Sequence, residues 1–177
     1  MHPTHFTAPQ AVQRINLGGD TLAHNTLVPA SRKLKENFMI NYNLERFYEK
    51  HMLFYPVALS EIQKGKKQSC WMWYIFPQLK KLGKSSTAIY FGIENAEEAR
   101  LFYEDLYLGA NLREISSALL QCESSDPFEV MFYPDNIKLR SSMTLFYLVT
   151  GDEVFKKVLD KFYSGELDEE TVKYLSK

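Results

Sequence analysis

Residues 43–65 read NLERFYEKHMLFYPVALSEIQKG, and the fold class turns on this stretch. Leu44, Phe47, Tyr48, Tyr55, Ala58, Leu59 and Ile62 recur at steps of three and four. That is the spacing of one face of an α-helix. Asn43 is a suitable cap before the run, and Gly65 a suitable stop after it. Pro56 lies inside the run, and its missing N–H and bulky ring predict a kink or a break there.

Outward from this helix the same punctuation repeats. Asn95 with Glu98 three residues on is close to a capping box, and Gly109 is placed to close that helix. Leu112, Ile115, Leu119 and Cys122 line one face of the next. Asp126-Pro127-Phe128-Glu129 sets a cap, a first-turn proline and an acidic residue in order, and Pro134 stops that short helix. A helix is predicted from about Ile137 to Val149, ending near Gly151. Asp152 opens another that carries Val154, Phe155, Val158, Leu159 and Phe162 and closes at Gly165. Asp168 caps a last short one. The run from Trp71 to Leu82 reads equally as strand or buried helix. No alternating strand pair with a hairpin turn is present, so the expected class is all-α: one multihelical domain over residues 39–177. Residues 1–38, with Pro3, Pro9, Pro29, Gly18 and Gly19 and no sustained period, read as an irregular extension; Met39 is an alternative start.

Composition narrows the function classes. A length of 177 residues suits one domain that needs no staple. The net charge of −1 supplies no field to recruit nucleic acid or an acidic membrane. No stretch approaches the roughly 20 apolar residues of a membrane span, and the start lacks a signal-peptide pattern. Cys70 and Cys122 sit in no metal or redox spacing, so two free thiols and a cytoplasmic location are expected. His2, His5 and His24 lie in the irregular start, which leaves His51 alone; it cannot build a metal site and is expected to be exposed or to cap. No metal or cofactor is expected. Phosphate loops, nucleophile elbows and zinc helices are absent, and no nucleophile–base pair is readable. Whether the protein is an enzyme stays open.

Two segments are unusual: Trp71-Met72-Trp73-Tyr74-Ile75-Phe76-Pro77-Gln78-Leu79 and Lys138-Leu139-Arg140-Ser141-Ser142-Met143-Thr144-Leu145-Phe146. Together with Asn43 to Phe47 and Tyr90 to Ile93, they resemble the domain-of-unknown-function 1810 family, some members of which carry the label calpastatin. The resemblance spans about residues 43–163. It implies a multihelical single domain and no defined activity. It also marks two departures: Cys70 where the family usually has His, and Asp105-Leu106 where it tends to have His-Pro.

The residues themselves suggest two roles beyond a scaffold. In the first, a small anionic, nucleotide-like ligand binds in a cleft between the tryptophan motif and Arg140, with Trp71, Trp73, Gln78, Lys138, Arg140, Ser141 and Thr144 as candidates. The two indoles are aromatic walls or core; on a helix they point about 200° apart. Arg140, among apolar neighbours, needs a partner: an internal acid such as Glu45, a helix C-terminus, or a ligand carboxylate or phosphate. It is expected to be buried and close to the tryptophans. In the second role, Lys64, Lys66, Lys67, Lys80, Lys81 and Lys84, interleaved with aromatics and free of acidic residues from Ile62 to Ile93, bind nucleic acid or a protein partner. The near-zero net charge weighs against a dedicated nucleic-acid protein.

Overall fold

The computed structural model describes residues 42–177. The expected irregular extension and Met39 lie outside the described residues. Among those described there are nine α-helices and no strand. They are α1 (Glu45–Gln63), α2 (Met72–Ile75), α3 (Ser86–Tyr90), α4 (Ala96–Glu104), α5 (Leu108–Gln121), α6 (Pro127–Met131), α7 (Asp135–Thr150), α8 (Glu153–Tyr163) and α9 (Glu169–Leu175). A 3₁₀ turn, Lys80–Leu82, follows α2. The all-α reading holds.

Helix α1 packs on α5, α5 on α8, and α7 on α4 and α8. Phe47, Ile62, Leu112, Ile115, Leu139, Met143, Phe146, Phe155 and Leu159 are fully buried between them. The caps fall where side chains can reach orphan amides. Asn95 accepts from the amides of Glu97 and Glu98, Asp126 from Phe128, Asp152 from Val154 and Asp168 from Thr171. Gly151 ends α7 in the left-handed region at φ 71°. At the start of α1, the Arg46 guanidinium donates to the carbonyls of Tyr90 and Gly92 and pairs with Glu98 at 2.7 Å. One side chain of α1 thereby holds the turn before α4.

Three local expectations are corrected. Of the kink or break expected at Pro56, the break does not occur: α1 is continuous from Glu45 to Gln63. Both Pro56 and Met52, whose carbonyl loses the bond, are exposed, so water can serve that carbonyl. Gly109 is inside α5 and closes nothing. A Cβ there would lie 1.8 Å from the Tyr103 carbonyl oxygen, so glycine allows α4 and α5 to meet. The Asp105 carboxylate starts α5 instead, accepting from the amides of Tyr107 and Leu108.

His51 is the third correction. It is neither exposed nor a cap: it is fully buried, edge-on to Tyr55 and Tyr107. Neither ring nitrogen has a hydrogen-bond partner among the described residues. Burial lowers its pKa from 6.5 to about 4, against the opposing pull of Asp105. A lowered histidine pKa means that the unfolded chain binds the extra proton first. Stability from this group is therefore full above pH 6.5 and falls as pH drops toward 4. The loss amounts to about 3 kcal/mol. His51→Leu is expected to flatten that part of the stability–pH curve, measured by urea unfolding between pH 7 and pH 4. A variant with the wild-type slope would show that His51 is not the titrating group.

Candidate functional site

The site begins with an acid in the last turn of α1. Glu61 Oε2 accepts from the Gln68 amide at 2.7 Å, the Ser69 amide at 3.1 Å and the Trp71 indole N–H at 2.7 Å. Its Oε1 accepts from the Ser69 hydroxyl. Burial raises the Glu61 pKa, but these bonds outweigh it, and the carboxyl is held below its usual 4.5. The segment after α1 is thus fastened back onto the helix, with Trp71 fully buried. Helix α2 follows, so Trp73 leaves the chain on the opposite side from Trp71.

Asp135, at the start of α7, receives two lysines. Lys67 Nζ lies 2.7 Å from Oδ2, and Lys138 Nζ 2.7 Å from Oδ1. Each ammonium also sits against an indole: Lys67 is 4.8 Å from the Trp71 ring centroid, and Lys138 is 5.0 Å from that of Trp73. The two distinctive motifs therefore do meet, through Lys138 and Asp135.

Beside this junction is a cavity of about 550 Å³. Trp73, Gln78 and Lys84 line it from the tryptophan-motif side, with Ser85 at the cap of α3. Tyr133, Pro134, Ile137, Lys138 and Ser141 line it from α7 and the turn before it, and Asp168 and Glu170 from the start of α9. Several polar groups are already engaged. Ser85 Oγ accepts from the Ala88 amide, Ser141 Oγ donates to the Ile137 carbonyl, and Asp168 accepts from the Thr171 amide and hydroxyl. The Gln78 carbonyl accepts from the Ile93 amide at 2.9 Å, within the one parallel bridge among the described residues, Leu79 to Ile93. The Gln78 side chain lines the cavity and has no hydrogen-bond partner among the described residues. Phe132, just before Tyr133, holds φ 58°, a region disfavoured for a bulky side chain. Backbone strain of this kind recurs beside ligand sites.

The family model described as "Protein of unknown function (DUF1810)" matches residues 41–175. The chain belongs to the DUF1810 family. Among solved structures, it is similar to the conserved hypothetical protein Rv1873 from Mycobacterium tuberculosis. That protein is 36% identical, the match covers 77% of this chain and 98% of that one, and the TM-score is 0.75. No curated protein matches. Neither description names an activity, so DUF1810 membership supplies the fold and leaves the site to be read from its own chemistry.

Of the sequence-chosen ligand residues, Trp73, Gln78, Lys138 and Ser141 line the cavity, and so does Lys84 from the lysine set. Trp71 is core. Thr144 is fully buried, and its hydroxyl accepts from the Asp168 amide, which positions α9. Arg140 is a correction. It does not line the cavity; it is about one-third exposed (31%) and pairs with exposed Glu166 at 3.5 Å. On α7 it is two residues from Lys138, hence roughly 200° round the helix.

The lysines do not form one free face either. Lys67 is buried against Asp135, and Lys80 pairs with Glu94 at 2.7 Å. Lys66 lies over Phe132 and Lys81 over Tyr174, while Lys64 is exposed. Tyr133, Ile137, Asp168 and Glu170 were missed because long-range packing brings them in. Only Ile137, one turn before Ser141, carried a local signal. Among the described residues no group of three or more His, Cys, Asp or Glu is placed to hold a metal, and no helix is long and apolar enough to cross a membrane. Cys70 is exposed and Cys122 buried, both free.

Two substitutions separate the anchoring acid from the peripheral base. Glu61→Ala leaves the Trp71 indole and two amides without their acceptor and is expected to cost about 3 kcal/mol in urea unfolding at pH 7. Because the Glu61 pKa is lowered, the wild-type advantage should fade as pH drops below 4.5. Arg140→Ala, at an exposed pair, is expected to cost less than about 1 kcal/mol. A larger loss would mean that Arg140 is integral to the core.

Proposed function

We propose that this domain binds a small anionic, nucleotide-like ligand in the cavity between Trp73 and the first turns of α7. The observation that carries the reading is the combination at one wall: an indole, a cation fixed beside it by Asp135, and the side chain of Gln78. A flat ring packs well against an indole, typically for about 1–3 kcal/mol when the ring is a base. An amide side chain pairs with the donor and acceptor edge of such a ring. Lys84 supplies charge for an anionic group, with Lys138 beside it held by Asp135, and the carboxylates of Asp168 and Glu170 can accept from hydroxyls. A volume of about 550 Å³ lies within the usual range for ligand sites. The serine hydroxyls at the wall, Ser85 and Ser141, are held by backbone groups, and the reading is one of binding, with no reaction assigned.

A nucleic-acid or protein surface built on the six lysines has less support. Lys67 and Lys80 are committed to internal acids, and Lys67 is buried.

The test is a thermal-shift and titration panel of ribonucleosides and their monophosphates. A ligand that binds only the folded state stabilises it by about 2.7 kcal/mol at one hundred times its Kd, a rise of several degrees for a domain of this size. Trp73→Ala and Lys84→Glu are expected to fold normally and lose the shift, while Arg140→Ala keeps it. Binding that survives Trp73→Ala, or no shift from any panel member at millimolar concentration, would sink the proposal.

A further inference from the structure

A second, smaller concavity of about 180 Å³ adjoins the main cavity. The two share Leu82 and Glu170 in their walls. Their charges differ. The main cavity has no net positive charge: Lys84 and Lys138 line it with Asp168 and Glu170, and Lys138 is already paired with Asp135. In the smaller one Lys81, Lys173 and Lys177 face Glu170 alone. The bases there come from separate elements: Lys81 from the 3₁₀ turn after α2, and Lys173 from α9. Their internal commitments are loose. Lys173 is 3.9 Å from Glu170, both about two-thirds exposed, and Lys81 is 6.0 Å from the Tyr174 ring. The ring itself is held in place, its hydroxyl donating to the Glu94 carbonyl at 3.2 Å.

We infer that the basic concavity is the far end of the ligand site proposed above, and that the ligand is a nucleotide bearing a chain of phosphates. The inference rests on that reading of the main cavity. The flat ring lies on Trp73, the first anionic group near Lys84, and the chain crosses Leu82 to reach Lys81, Lys173 and Lys177. The charge asymmetry orients it, since a cavity with no net positive charge suits a neutral ring and sugar, and a net positive recess suits an extended polyanion. Ammonium groups act on phosphate as point charges with freely turning donors. A single phosphate seated at Lys84 leaves the second recess unused; a chain fills both.

The experiment is isothermal titration of the full chain with the four ribonucleosides and their mono-, di- and triphosphates, with inorganic tripolyphosphate as a separate arm. Affinity for the preferred base is expected to rise about tenfold from mono- to triphosphate, as three weak surface ion pairs would give. The gain should shrink between 50 and 300 mM salt. The double variant Lys81→Glu/Lys173→Glu, checked for an unchanged melting temperature, should bind the nucleoside and monophosphate like wild type and lose the gain. Tripolyphosphate alone should bind wild type weakly, bind Trp73→Ala equally, and fail to bind the double variant. Equal affinity for mono- and triphosphate with nucleoside binding intact would overturn this inference and leave the proposed function standing. No nucleotide binding together with lysine-dependent tripolyphosphate binding would overturn the proposed function and the nucleotide assignment. Tripolyphosphate binding that ignores the lysine changes would overturn the basic recess as an anion site. A short single-stranded oligonucleotide that binds more tightly than the triphosphate would overturn the free nucleotide as the ligand.

Discussion

The Glu61 carboxylate is the constraint on which the rest of the site depends. It accepts four hydrogen bonds, from two backbone amides, a hydroxyl and an indole N–H, all within the ten residues that follow it. A chain leaving a helix at Gly65 has many directions open, and ordering it costs about 1–2 kcal/mol per residue in backbone entropy. Bonds to an ionised acceptor are the strong kind, so one side chain offsets much of that cost. Its effect is geometric: once Trp71 is drawn inward, the short helix α2 directs Trp73 away from it. A core anchor and a cavity wall thus come from two residues of one motif.

Asp135 performs the corresponding task between motifs. It sits between Lys67 and Lys138, and each lysine rests on a different indole. Three charged groups this poorly exposed are tolerable only as a unit, because any one left alone would remain desolvated without a partner. The arrangement ties the segment after α1 to the first turn of α7. Separately, the Lys67 amide donates to the Val130 carbonyl, which joins the same segment to α6. The cavity wall is therefore tied down on both sides of Trp73 by these contacts, an arrangement that favours a preorganised site.

Most of the fold was legible because helix ends announce themselves. Asn95, Asp126, Asp152 and Asp168 all cap as read, and a cap is a local event settled within three residues. What failed was whatever depended on partners distant in sequence. Gly109 has the look of a stop, but its role is set by the Tyr103 carbonyl across a helix crossing. Lys67 looks like any surface lysine until Asp135, sixty-eight positions away, arrives beside it. Two misses were avoidable. Phe47, His51, Tyr55, Ala58 and Ile62 step by four, four, three and four, so His51 stands in the buried stripe by count alone. The half-turn argument that parts Trp71 from Trp73 also parts Lys138 from Arg140. It was harder to apply to α7 because residues 141–146 are all buried, so no apolar stripe marks which face meets the core.

The cavity also draws most of its wall from short elements and connections rather than from the long helices. Helices α1, α4, α5 and α8 contribute nothing to its wall. The wall comes from the stretch running from α2 to α3, the turn before α7, the first turns of α7 and the start of α9. Tyr133 and Ile137 can change there without opening voids, since both are more than half exposed. A scaffold that keeps its packing in one set of helices and its variable contacts in short connections separates stability from recognition. In a family whose activity is undefined, differences at Trp73, Gln78, Lys84 and Lys138 are therefore the ones that bear on the ligand, whereas differences at Phe47, Leu112 or Phe146 bear on whether the domain folds.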